Sequence, residues 1–213
     1  KTESIDVMDA LGSNIRADYR GAEVMRVLPR VHEGINEEWL SDKSRYAVDG
    51  LQARRLDRPW VRENGRLRPA SWDEALSVVA AKLKAAAPER IGLIAGDLQD
   101  AESMKAALDL FRALGSANTD CRQDGAALGY GPREGWLFNT GLEGIEQADA
   151  VLLIGTDPRA EAPLLNARIR KAWLKGALRV GLIGEQADLT YDYDWLGAGT
   201  KTLAKPPKAV VEA

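Results

Sequence analysis

The chain has 213 residues, 45% hydrophobic and 29% charged, which suits a folded globular chain with one sizeable core or a core plus an appendage and excludes disorder and fibrous repeats. Its 32 acids and 29 bases are mixed along the chain to a net charge of -3, so no electrostatic footprint for nucleic acid stands out. No apolar run approaches the roughly 20 residues that cross a bilayer, no signal peptide is apparent, and a single Cys121 with a single His32 excludes an intrachain disulfide, a Cys/His zinc site and a four-thiolate iron–sulfur cluster.

The first predicted element is a hairpin. Ser13–Arg20 and Glu23–Arg30 flank Gly21, with Ile15, Ala17 and Tyr19 on one side and charge on the other, and Pro29 ends the second strand. From Glu33 to Arg68 the periodicity fades into loop and short strand. Its bases Lys43, Arg45, Arg54, Arg55, Arg58, Arg62, Arg66 and Arg68 read either as a solvated face or as contacts to an acidic partner. A domain boundary is expected at Pro69-Ala70-Ser71.

Ser71-Trp72-Asp73-Glu74 then has the spacing of a capping box, and the helix it opens carries Leu76, Val79, Ala80 and Leu83 as its apolar stripe, with Pro88 as the stop. Ile91–Ala95 reads as a short buried strand and Gly96-Asp97 as the turn after it. Asp100 can cap a second helix with the stripe Met104, Ala107, Leu108, Phe111 and Leu114, ended by Gly115. Asn118–Ile145 is glycine-rich and aperiodic, with room for a short helix around Arg133–Phe138. Ala150–Ile154 is the next strand, followed by a helix over Ala162–Lys175 with Leu165, Ile169 and Ala172 inward and Gly176 as its stop. Leu178–Ile183 closes the series. This alternation predicts an α/β fold: a small β-rich domain, then an open parallel, Rossmann-like sheet with helices on both faces. The end, with Pro206-Pro207, reads as a tail or as the cut end of a longer protein, and the start at Lys1 suggests an excised domain.

In open parallel sheets, ligands sit at the carboxyl ends of strands, where helix amides converge on an anion. Two loops qualify, Gly96-Asp97 and Gly155-Thr156-Asp157-Pro158-Arg159. In the second, Gly155 permits close approach, and the Thr156 amide and Arg159 could meet a phosphate. Against this, there is no G-x-G-x-x-G and no Walker sequence, and Asp97 and Asp157 would repel the anion. His32 beside Glu33 reads as a surface or structural residue, with acid–base work as the alternative. Cys121, between Asp120 and Arg122, reads as an inert thiol, with mild activation by the arginine as the alternative. Of the tryptophans Trp39, Trp60, Trp72, Trp136, Trp173 and Trp195, most are expected in the core, and exposed ones would mark a surface meant for a partner.

Ser4-Ile5-Asp6-Val7-Met8-Asp9-Ala10-Leu11-Gly12-Ser13-Asn14-Ile15, Val24-Met25-Arg26-Val27-Leu28-Pro29-Arg30 and Ile35-Asn36-Glu37-Glu38-Trp39-Leu40-Ser41-Asp42-Lys43 resemble the large iron–sulfur subunit of respiratory complex I, the 75 kDa protein of mitochondria and its bacterial counterpart. Residues 155–171 and Asp188-Leu189-Thr190-Tyr191 extend the resemblance to about Thr202, over the region that follows the cluster-bearing amino-terminal part and is related to molybdopterin oxidoreductases. The resemblance implies a degenerate 4Fe-4S domain at 1–69, a molybdopterin-oxidoreductase-like α/β domain at 70–202 and a tail at 203–213. In the wider family the opening hairpin holds a [4Fe–4S] cluster through C-x2-C-x3-C and a later L-C-x-K-G. The matching positions here are Asp6, Asp9, Ser13 and Ser41, poor substitutes for four soft thiolates. Asn118-Thr119-Asp120 resembles the N-x-D before the metal-ligating cysteine or selenocysteine, whose position falls near Ala126, with Cys121 as the shifted alternative.

The implied function is that of a structural scaffold in an NADH:quinone oxidoreductase. No catalytic, cofactor or metal residue is expected in this segment, and the iron–sulfur clusters are expected in the missing amino-terminal part. Other peripheral-arm subunits are the implied partners, without nucleic acid or membrane insertion, on the cytoplasmic face of the bacterial inner membrane or the matrix side of the mitochondrial one. The alternative is a pterin- or nucleotide-binding oxidoreductase domain with a phosphate at Gly155, Thr156 and Arg159.

Overall fold

The computed structural model describes residues 1–121, 131–135, 137–176 and 178–204, with only the backbone of Arg133. In chain order the elements are β1 (Thr2–Ile5), β2 (Asn14–Arg20), β3 (Glu23–Pro29), α1 (Asp42–Arg45), β4 (Trp60–Glu63), β5 (Arg66–Pro69), α2 (Trp72–Ala85), β6 (Leu93–Ile94), α3 (Ala101–Ala113) and β7 (Thr119–Asp120). Then follow α4 (Gly141–Gly144), β8 (Ala150–Ile154), α5 (Pro158–Glu161), α6 (Pro163–Leu174), β9 (Arg179–Ile183), β10 (Asp194–Gly197) and α7 (Thr200–Leu203). A single turn of 3-10 helix at Arg133–Gly135 stands in the glycine-rich stretch. Trp136 and Ala126 lie outside the described residues, as does the tail from 205.

Packing divides the chain into two compact units, Lys1–Ala53 with Pro132–Ala213, and Arg54–Gly131. The division therefore falls at Ala53 and Arg54 rather than at the 69/70 junction. The reason is Arg68, whose guanidinium pairs with Glu63 at 2.7 Å and Glu74 at 2.5 Å and so ties the β4–β5 hairpin to α2.

In the first unit, β1, β2 and β3 form an antiparallel sheet. Gly21, at φ +61°, takes the first position of the two-residue turn between β2 and β3, a backbone region that a Cβ disfavours. A bulge between Asp18 and Tyr19 breaks the register of that pair. The other sheet is parallel, in the order β10-β9-β8, with α6 as the crossover between β8 and β9. Its core is Ile169 of α6 packed with Leu153, Val180, Leu182, Leu189 and Tyr191. The helix face is pinned as well as packed: Asn166 Nδ2 donates to the Leu189 carbonyl at 3.0 Å, and its Oδ1 accepts from the Tyr191 hydroxyl at 2.7 Å. Within this unit, the buried Arg168 joins sequence-distant segments by donating to the carbonyls of Glu33 and Ile35 and pairing with Glu146 at 2.6 Å.

The second unit holds the β4–β5 hairpin, α2, α3 and a two-stranded parallel sheet, β6 beside β7. Ser71 caps α2 through the Glu74 amide, as expected, but the Glu74 carboxylate closes on Arg68 instead of completing the box. Asp100 caps α3 by accepting from the Ser103 amide at 2.7 Å. The expected buried strand at Ile91–Ala95 is only two residues long, with Ile91 buried and Ile94 exposed. Leu76 and Val79 of the α2 stripe are exposed too. The single open sheet expected from the sequence is thus two small parallel sheets, one in each unit, within a mixed α/β fold.

Candidate functional site

The loop between β1 and β2 folds back on itself: the Asp6 amide donates to the Ser13 carbonyl at 2.8 Å. Inside it, two carboxylates make the same short-range turn, Asp6 Oδ1 accepting from the Met8 amide at 2.9 Å and Asp9 Oδ1 from the Leu11 amide at 3.0 Å. Ser41 approaches from α1, which it caps by accepting from the Ser44 amide. That cap turns Ser44 toward Asp6, so the Ser44 hydroxyl donates to Asp6 Oδ2 and accepts from the Ser41 hydroxyl at 3.0 Å. Asp6, Ser13, Ser41 and Ser44 are all buried. Burial pushes the Asp9 carboxyl above its ordinary range, with the Asp6 charge adding to the effect and the Leu11 amide and Lys43 opposing it.

Asn36, 2% exposed, holds the surrounding frame. Its Oδ1 accepts from the Asn14 amide at 2.9 Å, while its Nδ2 donates to the carbonyls of Arg30, Glu37 and Trp39. The segment bearing Ser41 is thereby fastened to the β2–β3 hairpin. Neither Ser44 nor Asn36 stood out in the sequence as a site residue. The S-x-x-S spacing from Ser41 is the local signal that points to Ser44.

Three of the four cluster-equivalent positions are buried, and Asp6 and Ser41 meet through the hydroxyl of Ser44. Their donor set is oxygen only. Hard carboxylate and hydroxyl oxygens do not fit a [4Fe–4S] cluster, which is held by thiolates.

The strand-end loop after β8 brings Gly155, Thr156 and Arg159 together but engages each with the chain itself. The Gly155 amide, at φ +60°, donates to the Ile183 carbonyl at 2.8 Å. Asp157 caps α5 by accepting from the amides of Arg159 and Ala160, and Glu161 accepts from the Asp157 amide and the Thr156 hydroxyl. Arg159 pairs with Asp188 at 2.6 Å, and the Thr190 amide together with the Arg159 guanidinium holds the Asp188 carboxyl below its usual range. Carboxylates thus engage the Thr156 hydroxyl, the Arg159 guanidinium and the amides of Asp157, Arg159 and Ala160, while a carbonyl takes the Gly155 amide.

His32 is an exposed residue whose backbone bridges to Glu37, and Cys121 is exposed, its amide donating to Asp120 at 2.8 Å. Asn118 is a structural tie: its Nδ2 donates to the Glu89 and Ile91 carbonyls. Trp39, Trp60, Trp72 and Trp195 are exposed, contrary to the core expectation, while Trp173 packs near Tyr191 with ring centroids 6.4 Å apart. Among the described residues no group of His, Cys, Asp and Glu has the arrangement of a metal site built from three such side chains, and no helix is long and apolar enough to cross a membrane.

Residues 55–206 match the family model of the molybdopterin oxidoreductases. The chain belongs to the molybdopterin oxidoreductase family. Residues 1–49 match a second model, the NDSU1/NuoG-like 4Fe-4S domain of NADH-ubiquinone oxidoreductase, so the two matches meet close to the Ala53/Arg54 division. Among curated relatives, the mitochondrial NADH-ubiquinone oxidoreductase 78 kDa subunit of Candida albicans is 48% identical over 95% of the chain and 29% of its own length. The mitochondrial NADH dehydrogenase [ubiquinone] iron-sulfur protein 1 of Solanum tuberosum is 49% identical over 96% of the chain and 28% of its length. A subunit of the NADH-quinone oxidoreductase of Rickettsia conorii is 50% identical over 95% of the chain and 30% of its length. The chain thus spans under a third of these relatives.

Proposed function

We propose that this chain is a scaffold segment of the large iron–sulfur subunit of an NADH:quinone oxidoreductase and holds no redox centre of its own. Electrons from NADH pass toward quinone through clusters elsewhere in the parent protein. The observation that carries this reading is the oxygen network at the cluster-equivalent positions, where Ser41, Ser44 and Asp6 hydrogen-bond to one another. A network of this kind ties the hairpin to α1 without any metal and offers no soft ligand to iron.

The relatives' names support placement among the subunits of complex I, and its other peripheral-arm subunits are the proposed partners. The side of the membrane follows the parent: the cytoplasmic face in bacteria, the matrix in mitochondria. Exposed Trp39 and Trp195 in one unit and Trp60 and Trp72 in the other are the side chains we assign to such contacts. The 155–161 loop lends little support to a pterin or nucleotide phosphate, because Arg159 pairs with Asp188 and the amides of Asp157, Arg159 and Ala160 already serve Glu161 and Asp157.

Metal analysis by mass spectrometry, with an anaerobic absorption spectrum on the same sample, tests the reading. A colourless protein with neither iron nor molybdenum in stoichiometric amount is expected. Stoichiometric iron with broad visible absorption overturns the substitution argument, and molybdenum or a released pterin restores the enzyme reading.

A further inference from the structure

Two buried side-chain oxygens in the β1–β2 loop have no hydrogen-bond partner, Asp9 Oδ2 and Ser13 Oγ. Ser13 is 0% exposed, so its hydroxyl is out of contact with bulk water, and its carbonyl accepts from the Asp6 amide. Buried oxygens are paired in folded proteins, and an unpaired one calls for a water or an ion. Charge decides between these. Asp6 is buried and Asp9 partly so, in one loop, and among the described residues neither forms an ion pair with Lys, Arg or His. Lys43 acts on Asp9 only through space. Water would satisfy the hydrogen bonds but leave two neighbouring carboxylates with no opposite charge in contact and only Lys43 acting on Asp9 at a distance, a costly arrangement for partly desolvated charge.

We propose that the loop Asp6–Ser13 is a binding site for a hard metal cation, with Asp9 Oδ2 and Ser13 Oγ as its open ligands. The donor types suit this class: carboxylate and hydroxyl oxygens prefer Ca²⁺, Mg²⁺ or an alkali ion over soft metals. Asp6 is already held by the Met8 amide and the Ser44 hydroxyl, and so supplies charge more than a free coordination position. The cation takes the electrostatic place of the cluster without its redox chemistry. The proposal rests on the scaffold reading above, since a true cluster would occupy the same loop.

The test uses the full chain, stripped with chelator and exchanged into metal-free buffer. Ca²⁺, Mg²⁺ and K⁺ are each titrated alone at constant ionic strength, followed by calorimetry and by thermal unfolding. One of them is expected to bind with a stoichiometry near one and to raise the unfolding temperature. Asp9→Asn is expected to weaken binding tenfold or more and Ser13→Ala severalfold, while Asp157→Asn, in the loop after β8, leaves it unchanged. Should Asp9→Asn fail to fold, Ser13→Ala and the titration of the unaltered chain still decide. No binding of any of the three ions at millimolar concentration overturns the proposal and assigns the two oxygens to water or to a proton on Asp9. Binding that Asp9→Asn and Ser13→Ala leave intact overturns it equally. Neither result touches the scaffold reading, which fails on stoichiometric iron with visible colour, or on molybdenum or a released pterin.

Discussion

The β8–α6–β9 layer seals Ile169, Leu182 and Leu189 from solvent, whereas neither α2 nor α3, in the unit formed by residues 54–131, contains a buried residue. Both units use amphipathic helices beside short parallel strands, so the difference does not lie in local pattern. It lies in what covers the stripe. The first unit has a three-stranded sheet whose middle strand, β9, is paired on both edges, and Leu182 and Ile183 on it are buried. The second has parallel strands of only two residues each and leaves Leu76, Val79, Ile94 and Leu110 open. Periodicity identifies a helix, while burial depends on residues far away in the sequence.

The largest effect that can break this comparison is a cavity. Ile169→Ala removes a side chain with 0% exposure and is expected to cost about 3–4 kcal/mol, read as a lower urea midpoint at unchanged slope. Leu108→Ala on the half-buried face of α3 should cost about 1 kcal/mol, because its site can relax and rehydrate. Equal costs would mean that the second unit holds its helices as tightly as the first. Next in size is Arg168→Met. Its guanidinium, 4% exposed, answers two carbonyls and Glu146, and its loss should destabilise by about 2–3 kcal/mol. Lys171 still reaches Glu146 at 2.7 Å, so the carboxylate is not stranded. Arg168→Lys is expected to rescue little, since one ammonium cannot replace a fork spanning three acceptors.

Local signals in the sequence led to the elements that carry their own chemistry. Ser71 and Asp100 cap as their spacing predicts, Gly115 and Gly176 stop their helices at positive φ, and β8 and α6 lie where the apolar stripe puts them. The β4–β5 turn was equally legible: Asn64-Gly65, both at positive φ, is the dipeptide of a type I′ hairpin, and reading the stretch by its arginines hid it. Other features had no local signature. β1 is a strand only because β2 pairs with it, β7 only because β6 does, and Asn36 becomes a hub through the hairpin it touches. At the candidate site, resemblance located Asp6, Asp9, Ser13 and Ser41, but only the fold reveals that Ser44 joins two of them and that Asp9 and Ser13 each keep an unpaired oxygen.

A smaller effect sharpens the contrast in the second unit. With no buried residue on α3, its start depends on the Asp100 cap, so Asp100→Ala should cost about 1 kcal/mol and speed amide exchange in the first turn of α3 while the β8–β9 ladder keeps its protection. Exchange that rises in both units together would show one cooperative fold where packing draws two.

The smallest effect is a pH dependence confined to the first unit. Hydrogen bonds from Arg16 and then Arg26 hold the Asp18 carboxyl below its ordinary 3.8. A carboxylate depressed in the folded state adds stability that is complete above its unfolded value and is lost as pH falls through its folded one. Its contribution is therefore present at neutral pH and fades below about pH 4. Asp18→Asn abolishes that fraction of the acid sensitivity, flattening the stability curve below this point while leaving its slope above pH 5 unchanged. Because Asp18 lies at the bulge of the β2–β3 pair, the loss should appear in the amides of that hairpin before those of α6. An unaltered acid limb in the Asn variant would assign the acid sensitivity to other depressed carboxylates, Glu146 and Asp188 in this unit or Asp57, Glu74 and Asp100 in the other.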